Sequence, residues 1–197
     1  MRRQIPVQSQ KAVQYLSTET KEITETKEIR EIPVNTATIN PLQEAVCALL
    51  AQRGIALDEV AILIYDLQKE YYHGLTMAQC HQALEQVLAK RDVQHAVLTG
   101  LSLDILTERG AVGDPLRKII AQDAALYGMD EVLGMAIANI YGTIGVTGFG
   151  YLDKTKPGLI GRLDNDAKQV NTFADDLVAA LAAAGAAKLA HNRCQGQ

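Results

Sequence analysis

"VLGMAIANIYGTIGVTGFGYL", residues 132–152, is a run of 21 residues without a single charged side chain. About 20 apolar residues of helix are enough to cross the hydrocarbon layer of a bilayer. Whether this run spans a membrane or fills a bundle therefore decides the class of fold. Its composition favours the bundle. Gly134, Gly142, Gly145, Gly148 and Gly150 interrupt it, as do the polar Asn139, Thr143 and Thr147, and the chain has no second such run to pair with it. A helix that is apolar all round is equally at home in the core of a bundle. The stretch reads as a buried central helix, and the chain as one with no stable transmembrane span.

Helix signals continue on both sides of it. "PLQEAVCALLAQRG" (41–54) has apolar residues at helical spacing and stops at Gly54. "LDEVAILIYDLQKEYY" (57–72) starts at an Asp58 cap. "TMAQCHQALEQVLAKR" (76–91) opens with the capping-box pair Thr76 and Gln79, and can run on through "DVQHAVLTGLSLDILTERG" (92–110). "GDPLRKIIAQDAALYG" (113–128) has Asp114 as cap and Pro115 at the first helical position. "MDEVLGMAIANIYGTIGV" (129–146) and "NTFADDLVAALAAAGAAKLAH" (171–191) complete the set. No run alternates apolar and polar residues between turn signals, so sheets are not expected. The fold class is all-α: a bundle of about six to eight helices around a buried Gly/Ala-rich helix, forming one domain over residues 41–197. Ahead of it, residues 1–40 carry "TETKEITETKEI" (18–29), a six-residue unit repeated once. That segment has too little apolar surface to offset the entropy of ordering it and reads as a flexible arm.

Composition narrows the function. The net charge is −4 and the 19 basic residues are scattered, so no footprint for nucleic acid appears. Cys47, Cys80 and Cys194 lie far apart and form no CxxC pair, which argues for a reducing compartment and against a zinc site. The start, "MRRQIPVQSQ", lacks the apolar core of a secretory signal, so a cytoplasmic location is expected. Cys47 and Arg53 stand at the C-x5-R spacing of cysteine phosphatases, but Ala, Leu, Leu, Ala and Gln between them build helix rather than a phosphate cradle. The four histidines show no HExxH spacing, and neither a P-loop nor GxSxG occurs.

The acids of the last third are the chemically suggestive residues. Asp130 and Glu131 are adjacent, Asp153 precedes Lys156 and Pro157, and Asp175 and Asp176 are adjacent at the mouth of an Ala-rich helix. Each has a plain structural explanation. Asp130 could cap a helix, Thr172 with Asp175 fits a capping box, and Asp153 could set an Asx-turn. Neighbours on a helix point about 100° apart, however, so one member of each pair is left to face the bundle. Buried acids that converge are costly unless a hard cation compensates them, and ligation by carboxylates alone suits Mg²⁺ or Mn²⁺. Lys156 and Arg162 follow Asp153 closely enough to hold an anion such as a phosphate ester.

DE-x-x-G (Asp130, Glu131, Gly134), D-x-x-KP (Asp153, Lys156, Pro157) and DD-L-V-A (Asp175 to Ala179) occur in this order over roughly residues 126–191. Together they resemble the motifs of bacterial phosphatidylglycerophosphatase A, and more closely its soluble, YutG-like branch. "KRDVQHAVLTGLSLDILTERG" (90–110) is similar to that branch too. The resemblance implies a Mg²⁺-dependent phosphatase acting on phosphatidylglycerophosphate. Asp130, Glu131, Asp153, Asp175 and Asp176 would form the acidic, metal-holding site, and Lys156 would contact phosphate. The chain departs from the membrane enzymes in lacking several spans and an N-terminal glycine-rich GT motif, and in placing Ala180 where their last motif has glycine.

The expectation is therefore a metal-dependent phosphoric monoester hydrolase in the cytoplasm or at the membrane periphery. Its ligand would be a phosphate ester, with a phospholipid head group in view. The alternative is a non-catalytic helical protein that binds metal or a small phosphate at the same acids. A homo-oligomer packed through "AALAAAGAAKLA" (179–190) is the third expectation.

Overall fold

The structure, a computed structural model, describes residues 40–195. The expected N-terminal arm lies, but for Asn40, outside the described residues. Asn40 starts the first helix: its side chain accepts the Leu42 N–H, and Pro41 fills the first helical position, where no donor is required. Nine helices follow in the described residues: α1 (Pro41–Gln52), α2 (Leu57–Gln68), α3 (Met77–Leu88), α4 (Arg91–Glu108), α5 (Leu116–Ala121), α6 (Met129–Asn139), α7 (Gly142–Thr155), α8 (Leu159–Asp164) and α9 (Ala174–Gln195). No strand occurs among the described residues. The all-α class is as expected.

Local signals set several ends as read. Thr76 and Gln79 close the reciprocal capping box on α3. Other ends differ. Ala56, not Asp58, is the N-cap of α2, and Asp58 sits in its first turn. α3 and α4 are separate because Lys90 is extended between them. α5 begins after Pro115, while Asp114 pairs with Arg117 and Lys118 instead of capping.

The larger correction concerns the centre. Residues 132–152 are not one buried helix: the chain breaks after Ile140, and Gly142 takes a φ of +68° that only glycine adopts freely. The resulting α6 and α7 each bury one face and leave Val132, Ile144 and Tyr151 about half exposed. The central position belongs to α9, whose residues from Ala174 to Ala187 are buried without interruption. It packs against α2, α3, α4, α6, α7 and α8. Alanine explains the difference. Side chains of one carbon let neighbours close on the helix from every direction. At Gly185 even that carbon would overlap Ile64 of α2. "AALAAAGAAKLA", expected as a contact between subunits, is spent largely on packing inside the chain.

Candidate metal centre

Two helices bring the acids together. Asp130 and Glu131 lie in the first turn of α6, whose N-cap is Gly128 in the left-handed region and whose end has no side-chain cap. Asp130 is therefore not spent on capping. Asp176 lies in the first turn of α9. Gly134 allows the two helices to meet, since a Cβ there would stand 2.8 Å from the Phe149 ring and 3.3 Å from the Asp176 carbonyl oxygen. As a result Asp130, Glu131 and Asp176 each offer a carboxylate oxygen, all within 4.8 Å of one another.

Asp130 and Asp176 are only 7% and 4% exposed, and Asp130 Oδ1 has no hydrogen-bond partner. Burial, reinforced by Asp175, Asp153 and Asp130, pushes the Asp176 carboxyl up to about 8. Burial and the neighbouring Glu131 push Asp130 up to about 7, while a hydrogen bond with Asp130 holds Glu131 low. The cluster thus favours protons over bare charge. A divalent cation would satisfy the same three oxygens. An all-oxygen donor set fits Mg²⁺ or Mn²⁺.

Asp175, one residue earlier and about a quarter-turn round the helix, faces elsewhere. It accepts the Lys156 ammonium at 2.7 Å. Lys156 ends α7 in the left-handed region (φ +42°), just before Pro157, and its Nζ also donates to Asp164 at 2.7 Å and lies 4.0 Å from Asp153. Burial opposes the charge on this lysine, but its bonds with Asp164 and Asp175 outweigh burial and raise its affinity for the proton. Beside this pair opens a polar cavity of about 210 Å³, lined among others by Asp123, Asp164, Asp175 and Thr172. Asp153 is close enough to raise the Asp176 carboxyl but is not part of the three-oxygen cluster. Arg162 is not brought to the site. Its guanidinium grips Glu59 at 2.6 and 2.8 Å, against α2.

Sequence reasoning missed three acids. Asp164 reaches Lys156 because the short α8 returns the chain to the end of α7, and no spacing announces that. The Asp123 carboxyl is raised by burial, with Lys156 opposing and Asp164 and Glu131 adding to it, which places it in the same field. Asp104 is wholly buried on α4. The one available signal for it was a lone charge in the apolar "LSLDIL" (101–106).

The model of the phosphatidylglycerophosphatase A family matches residues 44–191, three quarters of the chain and every one of the acids just described. The chain belongs to this family. Proteins YutG and YpjQ of Bacillus subtilis are 46% and 44% identical to it, over 73% and 78% of this chain and 87% of each relative. Among solved structures, the low temperature requirement C protein from Listeria monocytogenes is similar at 46% identity and a TM-score of 0.76, covering 79% of this chain and 98% of that one. The Bacillus subtilis YpjQ structure gives 42%, 0.77, 82% and 100%. Membership of the phosphatidylglycerophosphatase A family points to phosphatase-like chemistry, and the all-helical fold agrees with that of these relatives. No helix among the described residues is long and apolar enough to cross a membrane.

Proposed function

We propose that the protein is a divalent-cation-dependent hydrolase of phosphate monoesters, with phosphatidylglycerophosphate as the substrate its family suggests. The observation that carries this reading is the convergence of Asp130, Glu131 and Asp176, with the buried Asp130 Oδ1 left without a hydrogen-bond partner. These three residues would hold Mg²⁺ or Mn²⁺. When bound, such a cation polarises a phosphoryl oxygen and lowers the pKa of an attacking water.

The chain's own residues supply the rest. Lys156 carries a fixed positive charge at the edge of the cluster, and Asp164 and Asp175 hold its ammonium in one place. A phosphoryl group drawn beside it meets a preorganised charge where negative charge develops. Asp153, half-buried next to Lys156, would orient a water or accept its proton. Arg162 takes no part, being committed to Glu59.

The test is a panel of lipid and water-soluble phosphate monoesters, assayed with EDTA and with added Mg²⁺ or Mn²⁺. Turnover should require the metal and fall about 100-fold or more in Asp176→Asn, as losses of transition-state electrostatics do. Metal binding with no turnover of any ester would favour the non-catalytic reading instead.

A further inference from the structure

The start of α9, which aims Asp175 and Asp176, is not held by its own sequence. Thr172, the residue expected to cap it, spends its hydroxyl on the Ile120 carbonyl at 2.7 Å. The cap comes from another helix. Asp104 of α4 accepts the Phe173 N–H at 3.2 Å and the Ala174 N–H at 3.1 Å, satisfying donors that a helix start leaves open. One residue in each direction along the same face of α4 repeats the contact. Glu108, four residues on, accepts the Val170 N–H at 2.8 Å and the Arg53 guanidinium at 2.7 Å. Arg53 in turn donates to the Val170 carbonyl and the Asn171 side chain. Gly100, four residues before Asp104, lets Phe173 and Leu177 approach so closely that a Cβ would stand 3.0 and 2.7 Å from them. Gly100, Asp104 and Glu108 thus form one stripe of α4, a turn apart, fitted to residues 170–177.

We infer that Asp104 is a positioning residue of the acidic site, an inference that rests on the metal-binding reading above. It touches neither metal nor substrate. It sets where the first turn of α9 begins, and so whether Asp176 meets Asp130 and Glu131 while Asp175 meets Lys156. Because the carboxylate is buried and bonds two successive backbone donors, a change of its reach re-aims both acids at once.

The experiment measures Mn²⁺ affinity of the folded full-length chain by electron paramagnetic resonance of free Mn²⁺, at low temperature. Asp104→Ala removes the cap, and Asp104→Glu keeps the carboxyl but displaces the acceptor by one methylene. Each should weaken Mn²⁺ binding by about 10-fold or more, the usual effect of removing a support behind metal ligands. Asp104→Asn keeps an acceptor of the same reach and should bind almost as wild type does. Val87→Ala, a core substitution in α3, should lower the melting temperature and leave the affinity unchanged. If Asp104→Ala does not fold, Asp104→Glu against Asp104→Asn decides the matter. Wild-type affinity in the folded Ala or Glu variant overturns the inference, and so does a loss in Asn as large as that in Glu. Absence of Mn²⁺ binding by the wild type overturns the acidic site itself, and this role with it.

Discussion

Asp175 and Asp176 are adjacent in sequence but answer to different partners, one to a lysine and one to two further acids. Replacing them should therefore have opposite consequences. Asp176→Asn removes one of the crowded charges, so the metal-free protein should melt no lower than wild type, and most of the upward shift with Mg²⁺ or Mn²⁺ should vanish. Asp175→Asn breaks a buried pair with Lys156 and should lower the melting temperature with or without metal. Differential scanning fluorimetry against metal concentration reads both, and equal metal responses in all three proteins would refute the assignment. Titration gives an independent check. The Asp130 and Asp176 carboxyls rise to about 7 and about 8 in the fold from an ordinary carboxylate value near 4. The folded protein then binds more protons than the unfolded chain between about pH 4 and 8, so metal-free stability falls as pH rises through that window. Denaturation midpoints in EDTA should decline from pH 5 to pH 8, and saturating Mg²⁺ should flatten the decline. A midpoint that rises over that range without metal would contradict the charge crowding.

Elements meet here through their glycines, and two positions show opposite signs. A methyl group at Gly134 would collide with the buried Phe149 ring and press on the Asp176 backbone, so Gly134→Ala should push α6 off α9. Overpacking of this kind costs about 1–3 kcal/mol, and the helix-propensity gain of about 1 kcal/mol offsets only part of it. The same variant should weaken the metal response, because Asp130 and Glu131 travel with α6. Gly150 of α7 is exposed, with nothing within 4 Å of a Cβ placed there. Gly150→Ala should stabilise by roughly 0.5–1 kcal/mol, since only backbone entropy changes. Urea titrations of the two variants measure both figures, and equal effects would mean that the close contact at Gly134 does not exist. The DE-x-x-G spacing was visible in the sequence. That its glycine is a contact surface for a third helix was not.

For the whole molecule, the break of the uncharged run at Gly142 leaves no described helix able to span a bilayer. The expressed protein should be recovered without detergent, and recovery confined to detergent extracts of the membrane fraction would reverse that reading. The all-α class, the helix starts at Pro41 and Thr76, and the acidic residues Asp130, Glu131 and Asp176 were legible in order, because periodicity, caps and clustered charge act over a few residues. The sequence also calls for a helix of small apolar residues at the centre, but its uncharged run points to 132–152 for that place and "LVAALAAAGAA" (177–187) to a contact between subunits. Which of the two takes the centre was decided only by packing: a continuous alanine helix can be surrounded, whereas the other run bends at a glycine and splits. Tertiary structure likewise separated Asp175 from Asp176, turned Arg162 toward Glu59, and brought Asp104 some seventy residues along the chain to cap α9. Those outcomes depend on which surfaces meet, and no local stretch of the chain carries the geometry of a contact made with a distant one.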